Sequence, residues 1–218
     1  MKNDVRKIAV LVGAAPVGKE MAKLEALLRE DVYKIAVDGG IHMFTSLQCT
    51  PDYYVGDMDS TKEAADTSYT VGVETKVVPV VKDDTDMALA LQEAFTRGIR
   101  EAWIFGGLGG DRISHSFANV QLMQKFAGQG MKIIMVCEQT ACSVLVNGTM
   151  DFPETQQGHL SVFSLTDVAK GVRIKGLFYE YEGELHNDYA LGVSNHFVGK
   201  SASVSVEEGA LLIVCEEE

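Results

Sequence analysis

Short apolar runs alternate with amphipathic segments through the first two thirds of the chain. Apolar, largely β-branched runs at Ile8 to Val12, Tyr33 to Val37, Tyr53 to Gly56, Glu74 to Val81, Ala102 to Phe105 and Lys132 to Val136 predict strands. Helical spacing between them predicts helices over Val17 to Arg29, Ile41 to Leu47, Met87 to Phe95 and from His115 to about Phe126. That alternation predicts an α/β fold with a doubly wound, mainly parallel sheet. A further strand is expected at Ala141 to Val146, and then helical periodicity disappears. Short β runs at His159 to Leu165, Val172 to Ile174, Leu177 to Tyr181, Ala202 to Val206 and Ala210 to Val214, set apart by turn glycines such as Gly209, predict a small all-β, sandwich-like domain. The boundary is expected near Asn147-Gly148, giving domains at 1–147 and 148–218. No repeat or low-complexity segment interrupts this plan.

Two acidic motifs follow predicted strands. Val55-Gly56-Asp57-Met58-Asp59-Ser60 is one, and Lys82-Asp83-Asp84-Thr85-Asp86 is the other. Carboxylates there stand at the carboxyl ends of strands, where open α/β sheets bind ligands. Asp before a helix also serves as an N-cap, and Asp-Asp is ordinary turn chemistry. Two such motifs at successive strand ends favour a metal site, because gathered carboxylates repel one another without a cation. Oxygen donors suit a hard cation, so Mg2+ leads over zinc or copper and leaves positions for water and phosphates. Asp83 and Asp86 can turn toward one ion, while Thr85 or Asp86 can cap the helix that follows.

Composition narrows the partners. The 218 residues are 46% apolar and carry a formal net charge of −12. So acidic a chain is not expected to bind nucleic acid, which needs clustered Lys and Arg. A nucleotide held through Mg2+ and a few cations, or a cationic small substrate, remains compatible. No Cys-x-x-Cys pair occurs among the four cysteines, no secretory pattern opens the sequence, and no apolar run reaches membrane-spanning length. The expectation is a cytoplasmic protein with no membrane partner.

Three glycine-rich turns follow strands. Gly13 to Lys19 approaches a phosphate-cradling loop, but Glu20 stands where a metal-binding hydroxyl is required. It reads as a tight strand-to-helix turn, which disfavours a P-loop hydrolase. Asp38-Gly39-Gly40 allows close backbone approach of a ligand. Gly106-Gly107-Leu108-Gly109-Gly110 leads into Asp111, Arg112 and His115. Its amides can lie against an anion, Arg112 adds a phosphate-matching fork, and His115 opens a helix. In the last third, Phe178, Tyr179 and Tyr181 with Glu180, Glu182, Glu184 and Asp188 could together hold a cationic aromatic ligand. Gly192 to His196 reads as a polar segment between strands.

Taken in order, Asp38-Gly39-Gly40, Gly56-Asp57-Met58-Asp59-Ser60, Lys82-Asp83-Asp84-Thr85-Asp86, the glycine loop with Arg112 and His115, and the late Ser194-Asn195 resemble the thiamine pyrophosphokinase family. The likeness covers nearly the whole chain. It implies Mg2+-dependent transfer of pyrophosphate from ATP to thiamine, giving thiamine diphosphate and AMP. It implies metal ligation by Asp57, Asp59, Asp83 and Asp86, and catalysis by these with Arg112. Nucleotide contacts from Asp38, Gly39, Lys82, Gly106, Gly107, Gly109, Arg112 and His115 are implied, as are thiamine contacts from Ser194 and Asn195. A homodimer is implied too, with thiamine between the α/β domain of one subunit and the β domain of the other. One departure stands out: the family loop has an Asp before its His, whereas here Ser114 precedes His115 and an Asp, Asp111, precedes Arg112. Asp111 is expected to take part of that place. The alternatives are a non-catalytic nucleotide- or thiamine-binding protein, or a phosphotransferase acting on another small alcohol.

Overall fold

The computed structural model describes residues 6–56, 72–77 and 84–217. Its contacts divide the chain into two units, Met1–Leu122 with Met131–Glu138, and Met123–Gly130 with Gln139–Glu218. The first is α/β and the second is β-rich.

In the first unit, β1 (Ile8–Val12), β2 (Tyr33–Val37), β3 (Tyr53–Gly56), β4 (Glu74–Val77), β5 (Glu101–Phe105) and β6 (Lys132–Cys137) lie in the order β4-β3-β2-β1-β5-β6. Every pairing in that series is parallel. Leu11 on β1 pairs with Ile35 on one side and with Ile104 on the other. The chain leaves β1 toward β2, β3 and β4, then returns to the far side of β1 as β5. Loops after β1 and β5 therefore diverge from adjacent strands, which opens a crevice at their carboxyl ends.

Helix α1 (Met21–Leu28) and helix α2 (Ile41–Ser46) bury Leu24, Leu28, Ile41 and Phe44 against Val10, Val12, Ala36 and Tyr54. The turn periodicity predicts α1 from Val17, but it begins at Met21. Gly18 and Lys19 instead form a turn whose amides bond to carboxylates, as described below. Helix α3 (Asp86–Thr96) starts one residue before the predicted position and lies against β2 and β3. Its N-cap is Thr85, whose hydroxyl accepts a hydrogen bond from the Ala88 amide at 3.2 Å. Thr85→Ala should cost about 1 kcal/mol of stability, the usual worth of such a cap, read as a shifted urea midpoint with unchanged slope. Helix α4 (Ile113–Ala127) follows the glycine loop directly.

The second unit contains β7 (Thr140–Val146), β8 (Thr149–Phe152), β9 (His159–Ser164), β10 (Val168–Lys175), β11 (Tyr181–His186), β12 (Gly192–His196), β13 (Ala202–Ser205) and β14 (Ala210–Glu216). They form two antiparallel series, β12-β9-β14-β7 and β11-β10-β13-β8. One core joins the series, with Leu160, Val162, Leu211 and Ile213 from the first and Val172, Ile174, Leu185 and Val204 from the second. Three segments differ from the periodicity. Of the run Leu177 to Tyr181, residues 178–180 are not strand; Leu177 makes an isolated bridge to Phe197, and Tyr181 opens β11, opposite Ile174. Thr149–Phe152 pairs with β13 although its pattern is short and polar. Gly192–His196, polar along its length, pairs with β9 as an edge strand. An edge strand pairs through its backbone, so it does not require apolar side chains. No helix among the described residues is long and apolar enough to cross a membrane.

Candidate active site

The crevice in the α/β unit is a cleft of about 900 Å³. Its lining joins Gly13–Pro16 after β1, Asp38 after β2, Asp84–Met87 at the start of α3, and Gly106, Gly107, Gly109–Arg112, His115 and Asn119 after β5. Of the residues singled out from the sequence, Asp38, Asp86, Gly106, Gly107, Gly109, Arg112 and His115 come together here. Asp57, Asp59, Lys82 and Asp83 lie outside the described residues. Gly39 sits beside the cleft; a Cβ built on it would meet Ala14 Cβ at 3.0 Å.

Two loops form the floor by interlocking. The Gly13 amide donates to Phe105 O at 2.8 Å, and the Ala15 amide donates to Gly106 O at 3.1 Å. Gly106 has φ +62°, and a Cβ there would lie 2.5 Å from Gly13 O and 2.7 Å from Ala15 O. Only glycine fits that crossing. Behind Asp38, Gly40 packs on β1 so tightly that a Cβ would come to 1.8 Å from Val12 O. Asp38 itself adopts φ +50°. A left-handed Asp is sparsely populated and persists where its surroundings impose it.

The turn after β1 shows why it is not a phosphate loop. Glu20 is 4% exposed. Its carboxylate accepts from the Gly18 amide at 3.0 Å and from the Glu138 amide at 2.8 Å. The Lys19 amide donates to the Glu138 carboxylate at 3.2 Å. The protein's own carboxylates thus occupy amides that a phosphate would need. Lys19→Ala is accordingly expected to keep turnover within a factor of about three of the parent, as for an exposed side chain outside the chemistry.

The cleft's charge is lopsided. Among the described residues lining it, Asp38, Asp84, Asp86 and Asp111 stand against one permanent cation, Arg112. A polyanion entering alone would be repelled, so the oxygen donors suit a phosphate chain accompanied by a hard cation. Among the described residues no group of three His, Cys, Asp or Glu side chains is placed to hold a metal ion. Near the glycine loop, a Cβ on Gly109 would lie 3.7 Å from Cys137 Sγ. Burial, and then Glu20 and Glu138, push that thiol's pKa up. It therefore stays neutral at physiological pH and adds no negative charge beneath the loop.

In the β-rich unit, Ser194 is exposed with φ +58°, and its amide donates to Ser161 Oγ at 3.0 Å. Asn195 is buried, and its carboxamide is engaged. Oδ1 accepts from the Tyr179 amide at 3.0 Å and Nδ2 donates to Tyr179 O at 2.7 Å. Asn195 thereby holds an aromatic platform in place. Phe178 stacks on His196 with centroids 4.5 Å apart, and Tyr179 meets Phe178 edge-on at 4.8 Å. Phe178 and Tyr179 are 57% and 64% exposed. Sequence reasoning passed over Ser116 and Asn119, whose side chains hold the glycine loop. Their signal was spacing: small polar residues three apart on the helix face nearest the loop.

Known proteins share this fold. Residues 24–135 match the family described as thiamin pyrophosphokinase, catalytic domain, and residues 149–211 match thiamin pyrophosphokinase, vitamin B1 binding domain. A thiamine pyrophosphokinase of Bacillus subtilis (strain 168) is 24% identical over 183 residues, covering 83% of this chain and 85% of that protein. The crystal structure of thiamine pyrophosphokinase from Bacillus subtilis superposes with a TM-score of 0.84 at 21% identity, over 97% of this chain and 100% of that one. Yeast thiamin pyrophosphokinase shares the fold at 12% identity, with a TM-score of 0.80 over 99% of this chain and 88% of that one. With its catalytic-domain match alone spanning more than half of its length, this chain belongs to the thiamin pyrophosphokinase family.

Proposed function

We propose that the cleft of the α/β unit is the nucleotide half of the active site of this thiamine diphosphokinase. The enzyme transfers pyrophosphate from ATP to the hydroxyl of thiamine, giving thiamine diphosphate and AMP. The observation that carries the siting is the meeting of Arg112, the glycine loop and the carboxylates of Asp38, Asp84 and Asp86 around one cleft. The thiamine oxygen forms a bond to the β-phosphorus, the bond from that phosphorus to the α–β bridging oxygen breaks, and AMP leaves with that oxygen. The hydroxyl proton passes to a carboxylate within hydrogen-bond reach. Arg112 and Lys82 offset charge on the transferred group and on AMP, and the glycine loop receives the phosphate chain. Asp38, Gly39 and His115 complete the nucleotide contacts.

Asp57, Asp59, Asp83 and Asp86 would hold Mg2+. When bound, that cation neutralises and aligns the phosphates. The acidity of the described cleft supports it, since Asp38, Asp84, Asp86 and Asp111 would otherwise oppose the nucleotide. Asp111, lining the cleft, takes part of the role of the loop carboxylate that Ser114 lacks. Asp111→Ala should lower turnover about tenfold; equal turnover would remove that role.

Thiamine is assigned to an all-β domain at 148–218, within the β-rich unit, where Ser194 lies beside the Phe178–His196 platform that Asn195 secures. An aromatic face suits a cationic thiazolium ring. The enzyme works as a homodimer in the cytoplasm. The exposed Tyr189, Leu191 and Val193 support a subunit contact on this unit. We also read an α/β domain at 1–147 whose parallel strands are doubly wound: right-handed crossovers running in opposite directions from β1 would put helices on opposite faces.

A turnover assay with ATP, Mg2+ and thiamine, reading AMP, tests the reaction. AMP and thiamine diphosphate in equal amounts are expected. ADP instead, or release only with another alcohol, would favour a different phosphotransferase. Tight binding of both substrates without AMP would make the protein a sensor.

A further inference from the structure

Two side chains of α4 reach back to the loop that precedes them. The Gly109 amide donates to Ser116 Oγ at 2.9 Å, and Asn119 Nδ2 donates to Gly107 O at 2.6 Å. Ser116 and Asn119 are 4% and 7% exposed; the Asn119 bond is buried and the Ser116 bond partly so. They stand three residues apart and present one face of the helix. Gly107 is further restricted, since a Cβ there would meet Ile104 at 2.6 Å and Met135 at 3.3 Å. Glycine loses more conformational freedom on ordering than any other residue, and this run has four in five. Bonds formed before a ligand arrives remove that cost from binding.

We propose that Ser116 and Asn119 are positioning residues that pre-set the Gly106–Asp111 loop for the triphosphate of ATP. The inference rests on the assignment of that loop to the nucleotide. It carries a sharper consequence: the Gly109 amide is engaged by Ser116, so it is not a phosphate donor. Gly109 is then needed for its backbone conformation, φ +80°, and the phosphates are met by other groups of the loop, Arg112 among them.

The test compares Ser116→Ala, Ser116→Thr, Asn119→Asp and Arg112→Ala in the full-length enzyme. Steady-state constants for ATP and thiamine are read with melting temperature. Ser116→Ala and Asn119→Asp, each removing one buried bond, should raise KM for ATP about tenfold and leave KM for thiamine unchanged. Ser116→Thr, which keeps the hydroxyl, should restore most of the affinity. Loss of stability alone would not move KM for one substrate and spare the other. Folded Ser116→Ala with KM for ATP within about twofold of the parent overturns the proposal, provided Arg112→Ala raises it. If Arg112→Ala leaves KM for ATP unchanged as well, the nucleotide assignment beneath it falls instead. Should Asn119→Asp not fold, the Ser116→Ala and Ser116→Thr pair decides.

Discussion

Asp86→Asn is expected to lower kcat by about a thousandfold while the protein stays folded. The residue opens α3 and lines the cleft beside Asp84 and Thr85. Asn keeps its shape and removes one negative charge. Single preorganised groups acting on charge in a transition state are typically worth about 10²–10³ in kcat, and loss of a metal-holding carboxylate falls at the upper end. The structural effect runs much smaller. Thr85, not Asp86, provides the N-cap, so the cap survives. What the helix loses is an acidic residue in its first turn, worth about 0.3–1 kcal/mol through the helix dipole. Steady-state assays over a range of Mg2+ should show a raised requirement for the cation, with melting lowered by only a few degrees (~2–4 °C per kcal/mol). Turnover within about threefold of the parent would remove Asp86 from the metal-holding set.

Gly106→Ala should have a large effect on stability. Two penalties combine there. The left-handed φ of +62° disfavours any side chain, by about 1–2 kcal/mol for alanine. The new Cβ must also displace two backbone carbonyls, Gly13 O and Ala15 O, which sit 2.5 and 2.7 Å from it. Overpacking against rigid neighbours adds about 1–3 kcal/mol. Together these predict a loss of roughly 3 kcal/mol and a melting temperature lower by about 10 °C. Gly98→Ala is the control. It too has a positive φ, +89°, but nothing lies within 4 Å of its would-be Cβ. It should lose only the conformational part, about 1 kcal/mol. Equal melting of the two variants would show that the loop crossing yields easily. Turnover should fall with Gly106→Ala and hold with Gly98→Ala, because only the first disturbs the cleft floor.

Much of the α/β unit was legible beforehand because its signals are local. The runs at Ile8 to Val12 and Lys132 to Val136 are apolar on both faces, as buried parallel strands must be. The glycine loop announced itself by composition, and Glu20 argued against a phosphate loop by its charge alone. The β-rich unit was harder. Gly192–His196 pairs through its backbone at an edge, where side-chain pattern carries little information, and of the run Leu177 to Tyr181 only its last residue, Tyr181, enters a strand. The resemblance implies a thiamine contact from Asn195, and its carboxamide bonds to the Tyr179 backbone, a partner that no local pattern signals. Ser116 and Asn119 went unnoticed because small polar residues in a helix have many ordinary uses.

The sequence by itself determined where strands and helices alternate, which strand ends bear carboxylates, and which reaction family they resemble. Those properties follow from periodicity and from the order of motifs along the chain. Only the tertiary structure decided which groups are already taken. Glu20 meets the amide of Glu138 across 118 positions, and the loop after β5 crosses the loop after β1 at Gly106 and Gly13. Hydrogen bonds between distant segments depend on how strands are ordered in the sheet, and that order is set by packing of the whole unit.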